Sequence, residues 1–234
     1  MRSALLLLAL LPGPALAANR SYSVTDFDRI RIDGPYAVTL RTGAASSASA
    51  TGDMRAIDRL SVTVQGRTLI VRADSSGWGG WKGESPGRVA LSVATPALSS
   101  AILGGSGALA IDRAKAMRFE IGLSGSGSIA IGTLAADRLA LTLVGSGKVT
   151  VAGSAAQTRA TLQGSGTIDA AKLASDDLEL GVSGTGDASF AAKRSAKVTA
   201  AGTGAVTVTG NAACTVNSVG SGEVRCGKDA ATSR

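Results

Sequence analysis

Apolar and polar side chains alternate along most of the chain, and from residue 105 onward one tripeptide punctuates the alternation. Gly105-Ser106-Gly107, Gly125-Ser126-Gly127, Gly145-Ser146-Gly147, Gly164-Ser165-Gly166, Gly184-Thr185-Gly186, Gly202-Thr203-Gly204 and Gly220-Ser221-Gly222 follow at intervals of 20, 20, 19, 20, 18 and 18 residues. So even a period is the signature of a repeat architecture. Two and four residues past each tripeptide stand Leu109/Ile111, Ile129/Ile131, Val149/Val151, Ile168/Ala170, Ala188/Phe190, Val206/Val208 and Val224/Cys226. Six, four and two residues before the next one stand Phe119/Ile121/Leu123, Leu139/Leu141/Leu143, Thr158/Ala160/Leu162, Leu178/Leu180/Val182, Ala196/Val198/Ala200 and Cys214/Val216/Ser218. Period two marks strands with one buried face. Each repeat therefore reads as a strand, a corner of five to seven residues, a second strand and a glycine corner.

Stacked repeats would pair equivalent strands in parallel about 4.8 Å apart and enclose one continuous core. A zigzag of the same strands would give an antiparallel barrel or sandwich instead. Recurrence of like residues at like positions favours stacking, so the expected fold is an all-β parallel solenoid with rungs of about 20 residues. Strands of four to six residues and only two aromatics in the repeats, Phe119 and Phe190, disfavour an outer-membrane barrel. Glycine suits a sharp corner repeated in every rung, because it removes the Cβ that resists positive φ. The middle Ser or Thr is expected to stack into a column of mutually bonded hydroxyls. A phosphate-binding loop would need a Gly-Lys-Ser/Thr ending and a long following helix, and neither occurs.

Residues 24–100 alternate in the same way without the tripeptide, at Phe27/Ile30/Ile32, Val38/Leu40, Leu60/Val62/Val64, Leu69/Val71 and Val89/Leu91/Val93. Asp33-Gly34-Pro35 and Gln65-Gly66-Arg67 mark turns. With no linker between the halves, residues 18–104 are expected to form less regular rungs or a cap of the same domain, and 105–227 its regular rungs.

The chain opens with Met1-Arg2-Ser3, an apolar run from Ala4 to Leu11, and Ala15-Leu16-Ala17, the pattern of a secretory signal peptide over residues 1–17. The run is too short to span a bilayer, and no later segment is long enough to do so. Removing Arg2 leaves 23 basic against 17 acidic groups, a net charge of +6. In an oxidising compartment Cys214 and Cys226 are expected to pair. Both fall on inward columns of the last rung, where a bridge would staple the two walls together. Residues 228–234 read as a flexible tail.

Composition narrows the chemistry. The 234 residues include no histidine, which excludes serine–histidine triads and zinc-peptidase motifs. At 44% hydrophobic and 18% charged residues the chain is too apolar for disorder. No cofactor is implied.

Several features together carry a family resemblance. They are Phe27 with Ile30-Arg31-Ile32-Asp33-Gly34, Leu69-Ile70-Val71, and Thr95-Pro96-Ala97-Leu98 leading into Gly104-Gly105-Ser106-Gly107, followed by the serial tripeptides and a terminal Cys pair. With these, residues 22–227 resemble the head GIN domain of putative auto-transporter adhesins. The resemblance implies a right-handed β-helix-like domain exported to the periplasm or cell surface of a Gram-negative bacterium, and it carries over no catalytic residues.

Three places are candidates for function. Ser76-Gly77-Trp78-Gly79-Gly80-Trp81-Lys82-Gly83 holds both tryptophans outside the alternating core pattern, and Trp78, Trp81 and Lys82 could stack on and pair with a sugar. The corner between strands carries Asp112/Arg113/Lys115/Arg118, Asp137/Arg138, Lys172/Asp176/Asp177 and Lys193/Arg194. Stacked rungs would gather these into a ridge whose excess of cations, with Arg113, Lys115, Arg118, Lys193 and Arg194 foremost, could attract anionic glycan, lipopolysaccharide or another envelope component. A solvated strand edge is the plainer role for such charges. Nucleic acid is disfavoured by the scarcity of aromatics. The third place is Asp176/Asp177/Glu179, the one dense acidic cluster, which would serve a carbohydrate-active β-helix enzyme. No acid recurs at the positions taken as equivalent, Arg138/Ala140 and Lys197/Thr199, so a non-catalytic binding or adhesion module is the expected function.

Overall fold

A computed structural model describes residues 18–74 and 89–227. Before the repeats stand β1 (Ala18–Tyr22), β2 (Arg29–Asp33), β3 (Ala37–Thr42), β4 (Ser47–Gly52), β5 (Leu60–Gln65), β6 (Thr68–Ala73), β7 (Val89–Thr95) and β8 (Ser100–Gly105), of which β2, β3, β5, β6 and β7 fall on the alternating segments and β1, β4 and β8 do not. The repeats supply β9 (Ala108–Gly125), β10 (Ser128–Gly145), β11 (Lys148–Gly164), β12 (Thr167–Gly184), β13 (Asp187–Gly202), β14 (Val206–Thr209), β15 (Ala213–Val219) and β16 (Val224–Cys226). The one helix among the described residues, α1 (Met54–Asp58), starts where the Asp53 carboxylate accepts from the Ala56 N–H.

Every pairing from β8 to β16 is parallel, and neighbouring repeats lie in register. One wall stacks Leu109, Ile129, Val149, Ile168, Ala188, Val206 and Val224 in a column. The other stacks Phe119, Leu139, Thr158, Leu178, Ala196 and Cys214. The chain is thus a β-solenoid of about six turns with its core between the walls, as the repeat predicts.

The first half is both rung and cap. Strands β2 and β3, joined through Gly34, pair in parallel with β8 and β9, so Asp33-Gly34-Pro35 occupies the corner that Gly-Ser-Gly takes later. Strands β6 and β7 add a further parallel layer. Antiparallel β5 closes one wall, and β4 followed by β1 closes the other. The apolar positions read from the sequence are buried here, except that Val64 is half-exposed.

Two expectations need correction. The glycine corners are not held by a hydroxyl column: the middle hydroxyls face solvent, and among the described residues none bonds its neighbour. The main chain does that work instead, since the Ser146 and Gly147 N–H groups both donate to the Gly125 carbonyl at 3.0 Å. The corner between strands is also not wholly solvated. Ala114, Leu134 and Leu173 point inward from it and are buried, a short third side of the coil. Gly153 stands in their column where the rung is one residue short; its φ is +125°, and a Cβ there would lie 2.0 Å from the Leu134 carbonyl oxygen. The other register shifts, at Ile131/Leu134, Thr150/Ala152, Ala170/Ala174 and Ser175/Asp177, fall in this same corner, so rungs of unequal length keep both walls aligned. Thr158, polar in an otherwise apolar column, is buried and shares a 2.7 Å hydrogen bond with buried Ser175.

At the far end Cys214 and Cys226 are bonded, their Cα atoms 6.2 Å apart, and tie β15 to β16 across the walls as expected. Among the described residues no further rung covers β15: all seven of its residues are exposed, including the inward Val216 at 44%.

Candidate functional site

The outer face of the second wall presents polar side chains in columns, because every second residue of each parallel strand points outward at the same height. The column nearest the corner runs Arg118, Arg138, Gln157, Asp177, Ser195. The next runs Glu120, Ala140, Arg159, Glu179, Lys197. Between these columns lies a depression of about 630 Å³ lined by Arg118, Arg138, Arg159 and Lys197 and, toward its far end, by the ion-paired Asp177 and Glu179. A second hollow of about 550 Å³, lined by Arg29, Arg31 and Glu120, adjoins it and shares Arg118. A third, of about 330 Å³, lies on the corner between Thr42, Leu98, Arg113 and Lys115.

The predicted cations separate into three groups. Lys193 and Arg194 are neutralised within the fold, Lys193 by Asp176 at 3.7 Å and Arg194 by Asp177. Arg113 pairs with its neighbour Asp112 at 3.6 Å, and with Lys115 it lines the smallest hollow. Arg118 sits against Arg138 on the neighbouring strand, and neither has a carboxylate partner among the described residues. Both belong to the ridge expected from the sequence, and among the described residues they form a facing pair of cations. The signal was available, since each stands seven residues before the first glycine of its corner. Arg159 and Ala140 were not read as part of a site at all. Trp78, Trp81 and Lys82 lie outside the described residues.

The acidic cluster is tied up by cations and hydroxyls. Asp177 accepts from Ser195 Oγ at 2.7 Å and pairs with Arg194, and these hold its carboxyl below the usual carboxylate range against a weaker opposing effect of burial. Glu179 accepts from Arg159 at 2.9 Å, and that hydrogen bond and charge lower its pKa as well. The neighbours of Asp177 and Glu179 one rung away are Gln157/Arg159 and Ser195/Lys197, not Arg138/Ala140 and Lys197/Thr199 as the sequence alignment placed them. No acid stands at either pair, and neither carboxyl is raised as a general acid for glycoside cleavage would be. Among the described residues no group of three or more His, Cys, Asp or Glu could hold a metal ion. No helix there is long and apolar enough to cross a membrane.

These features define a parallel β-solenoid with an open polar face whose clustered acids are ion-paired. The chain belongs to the family described as putative auto-transporter adhesin, head GIN domain, whose pattern matches residues 26–212. Solved structures with the same fold include a putative adhesin from Bacteroides fragilis, 21% identical with a TM-score of 0.81 over 91% of this chain and 98% of that one. A putative lipid binding protein from Parabacteroides distasonis is 22% identical with a TM-score of 0.71, over 91% and 97% of the two chains. A putative adhesin from Parabacteroides merdae is 20% identical with a TM-score of 0.67, again over 91% and 97%. No curated protein matches the chain.

Proposed function

We propose that the protein is an exported, non-catalytic adhesion module that recognises anionic glycans of the bacterial envelope, lipopolysaccharide among them, through the outer face of its second wall. The observation that carries this reading is the facing pair Arg118 and Arg138, cations without partners among the described residues in a depression of about 630 Å³. Export is supported by the leader at residues 1–17 and by the Cys214–Cys226 bond, which persists in oxidising compartments. A glycoside hydrolase would need a carboxyl kept neutral near another acid, whereas hydrogen bonds and neighbouring cations lower the pKa of both Asp177 and Glu179.

The test is an array of acidic and neutral glycans, with lipopolysaccharide, probed with the chain from Ala18 onward. Acidic members should be retained and released as ionic strength rises, because exposed charges are screened. Equal retention of neutral glycans, or none of any, would refute the reading. Trp78 and Trp81 enter the same assay as proposed contacts. The W78A/W81A variant should melt within about 2 °C of the parent yet bind the retained glycans more weakly. A large fall in melting temperature would place the rings in the core instead.

A further inference from the structure

We infer that the hollow over Ala140 is a subsite for one oxyanion, a carboxylate, sulfate or phosphate substituent of a saccharide, seated between the guanidinium groups of Arg118 and Arg138. The inference rests on the adhesion reading and assigns its contact point.

Three observations converge on it. First, Arg118 and Arg138 are register partners on adjacent parallel strands, hence about 4.8 Å apart at the backbone. Like charges directly opposite repel. Elsewhere on the molecule Arg31, Arg159 and Arg194 each have a carboxylate of the fold to neutralise them. Arg118 and Arg138 have none among the described residues, and Glu120, two residues further along the strand, pairs with neither. A bound anion would relieve that repulsion, and two adjacent guanidinium forks offer it convergent N–H donors.

Second, the site has a floor of the right size. Ala140 stands in its column between Glu120 and Arg159, so a methyl group occupies the place where a long side chain would fill the depression. Third, the adjoining column reads Gly122, Thr142, Thr161, Gly181, Thr199. These hydroxyls lie on the same face two residues beyond Ala140 and outside the hollow's lining, where a saccharide extending from the anion would meet them. A lipid surface would call for exposed apolar side chains here instead, and this face is polar.

Ala140→Glu tests the site by supplying the anion from within the chain. The variant carboxylate would face Glu120 on one side, but Arg159 on the other and Arg118 and Arg138 beside it offset that repulsion, so the melting temperature should stay within about 2 °C of the parent. Affinity for dextran sulfate or alginate should fall at least about tenfold, the worth of one charged hydrogen bond. R118Q/R138Q should lose the same affinity and keeps the test valid if Ala140→Glu folds poorly. R55Q/R59Q, at exposed cations of α1 and its C-cap outside every hollow described, should bind as the parent does, neutral dextran should not bind, and whichever of sulfate, carboxylate and inorganic phosphate competes best names the substituent. If the parent binds the acidic polymers and both site variants bind equally well, the subsite is overturned while the adhesion reading stands. If the parent binds no acidic polymer, both fall.

Discussion

Gly145→Ala is expected to lower the melting temperature by about 10 °C. Two costs coincide at that corner. The residue has φ +118°, where an L side chain costs about 1–2 kcal/mol. Its Cβ would also lie 2.5 Å from the Gly125 carbonyl oxygen. That oxygen accepts from both Ser146 and Gly147, so it has no room to retreat without loosening the bonds that join two rungs. Strain and weakened bonds together come to about 3 kcal/mol, which at this chain length is about 10 °C. Thermal denaturation followed by circular dichroism reads the change directly. Gly181→Ala is the control: nothing lies within 4 Å of its Cβ, and its melting point should match the parent. A Gly145→Ala protein as stable as the control would mean that the corners do not stack as described.

Breaking the disulfide with C214S/C226S should cost about 3 kcal/mol, the loop-closure value for a bridge spanning 12 residues. The loss should be local. In a stack each rung touches only its neighbours, and β15 already has one uncovered side with every residue exposed. Hydrogen exchange should therefore accelerate in β15 and β16, while β9 to β12 keep their protection. Uniform loss of protection through the stack would contradict a repeat architecture in which the bridge serves only the last rung.

The two walls were legible in the sequence because burial there follows a period of two between fixed glycines, so Phe119, Leu139 and Leu178 announce one column without any structure. The third side was not, because a lone inward residue such as Leu134 or Leu173 has no periodicity to mark it inside a corner of variable length. The same variability hid the charge pairing. Lys193 meets Asp176 across 17 residues rather than the 20 of earlier rungs, so only the register shows that Lys193 and Arg194 are already neutralised. Arg118 and Arg138 lie in rungs of equal length and could have been paired by counting back from the glycines. The hydroxyl column failed for a different reason. Composition places Ser126 and Ser146 one above the other, but the backbone already satisfies the corner and leaves their side chains to water.

A double-mutant cycle on Arg118 and Arg138, read as affinity for dextran sulfate, tests most directly whether stacked rungs make one binding surface. If both guanidinium groups grip the same anion, R118Q and R138Q should each abolish most of the binding, and the double variant should lose little more, with a coupling of about 0.5–3 kcal/mol. Losses that simply add, or single variants that bind as the parent does, would show that the two side chains do not act together on one ligand.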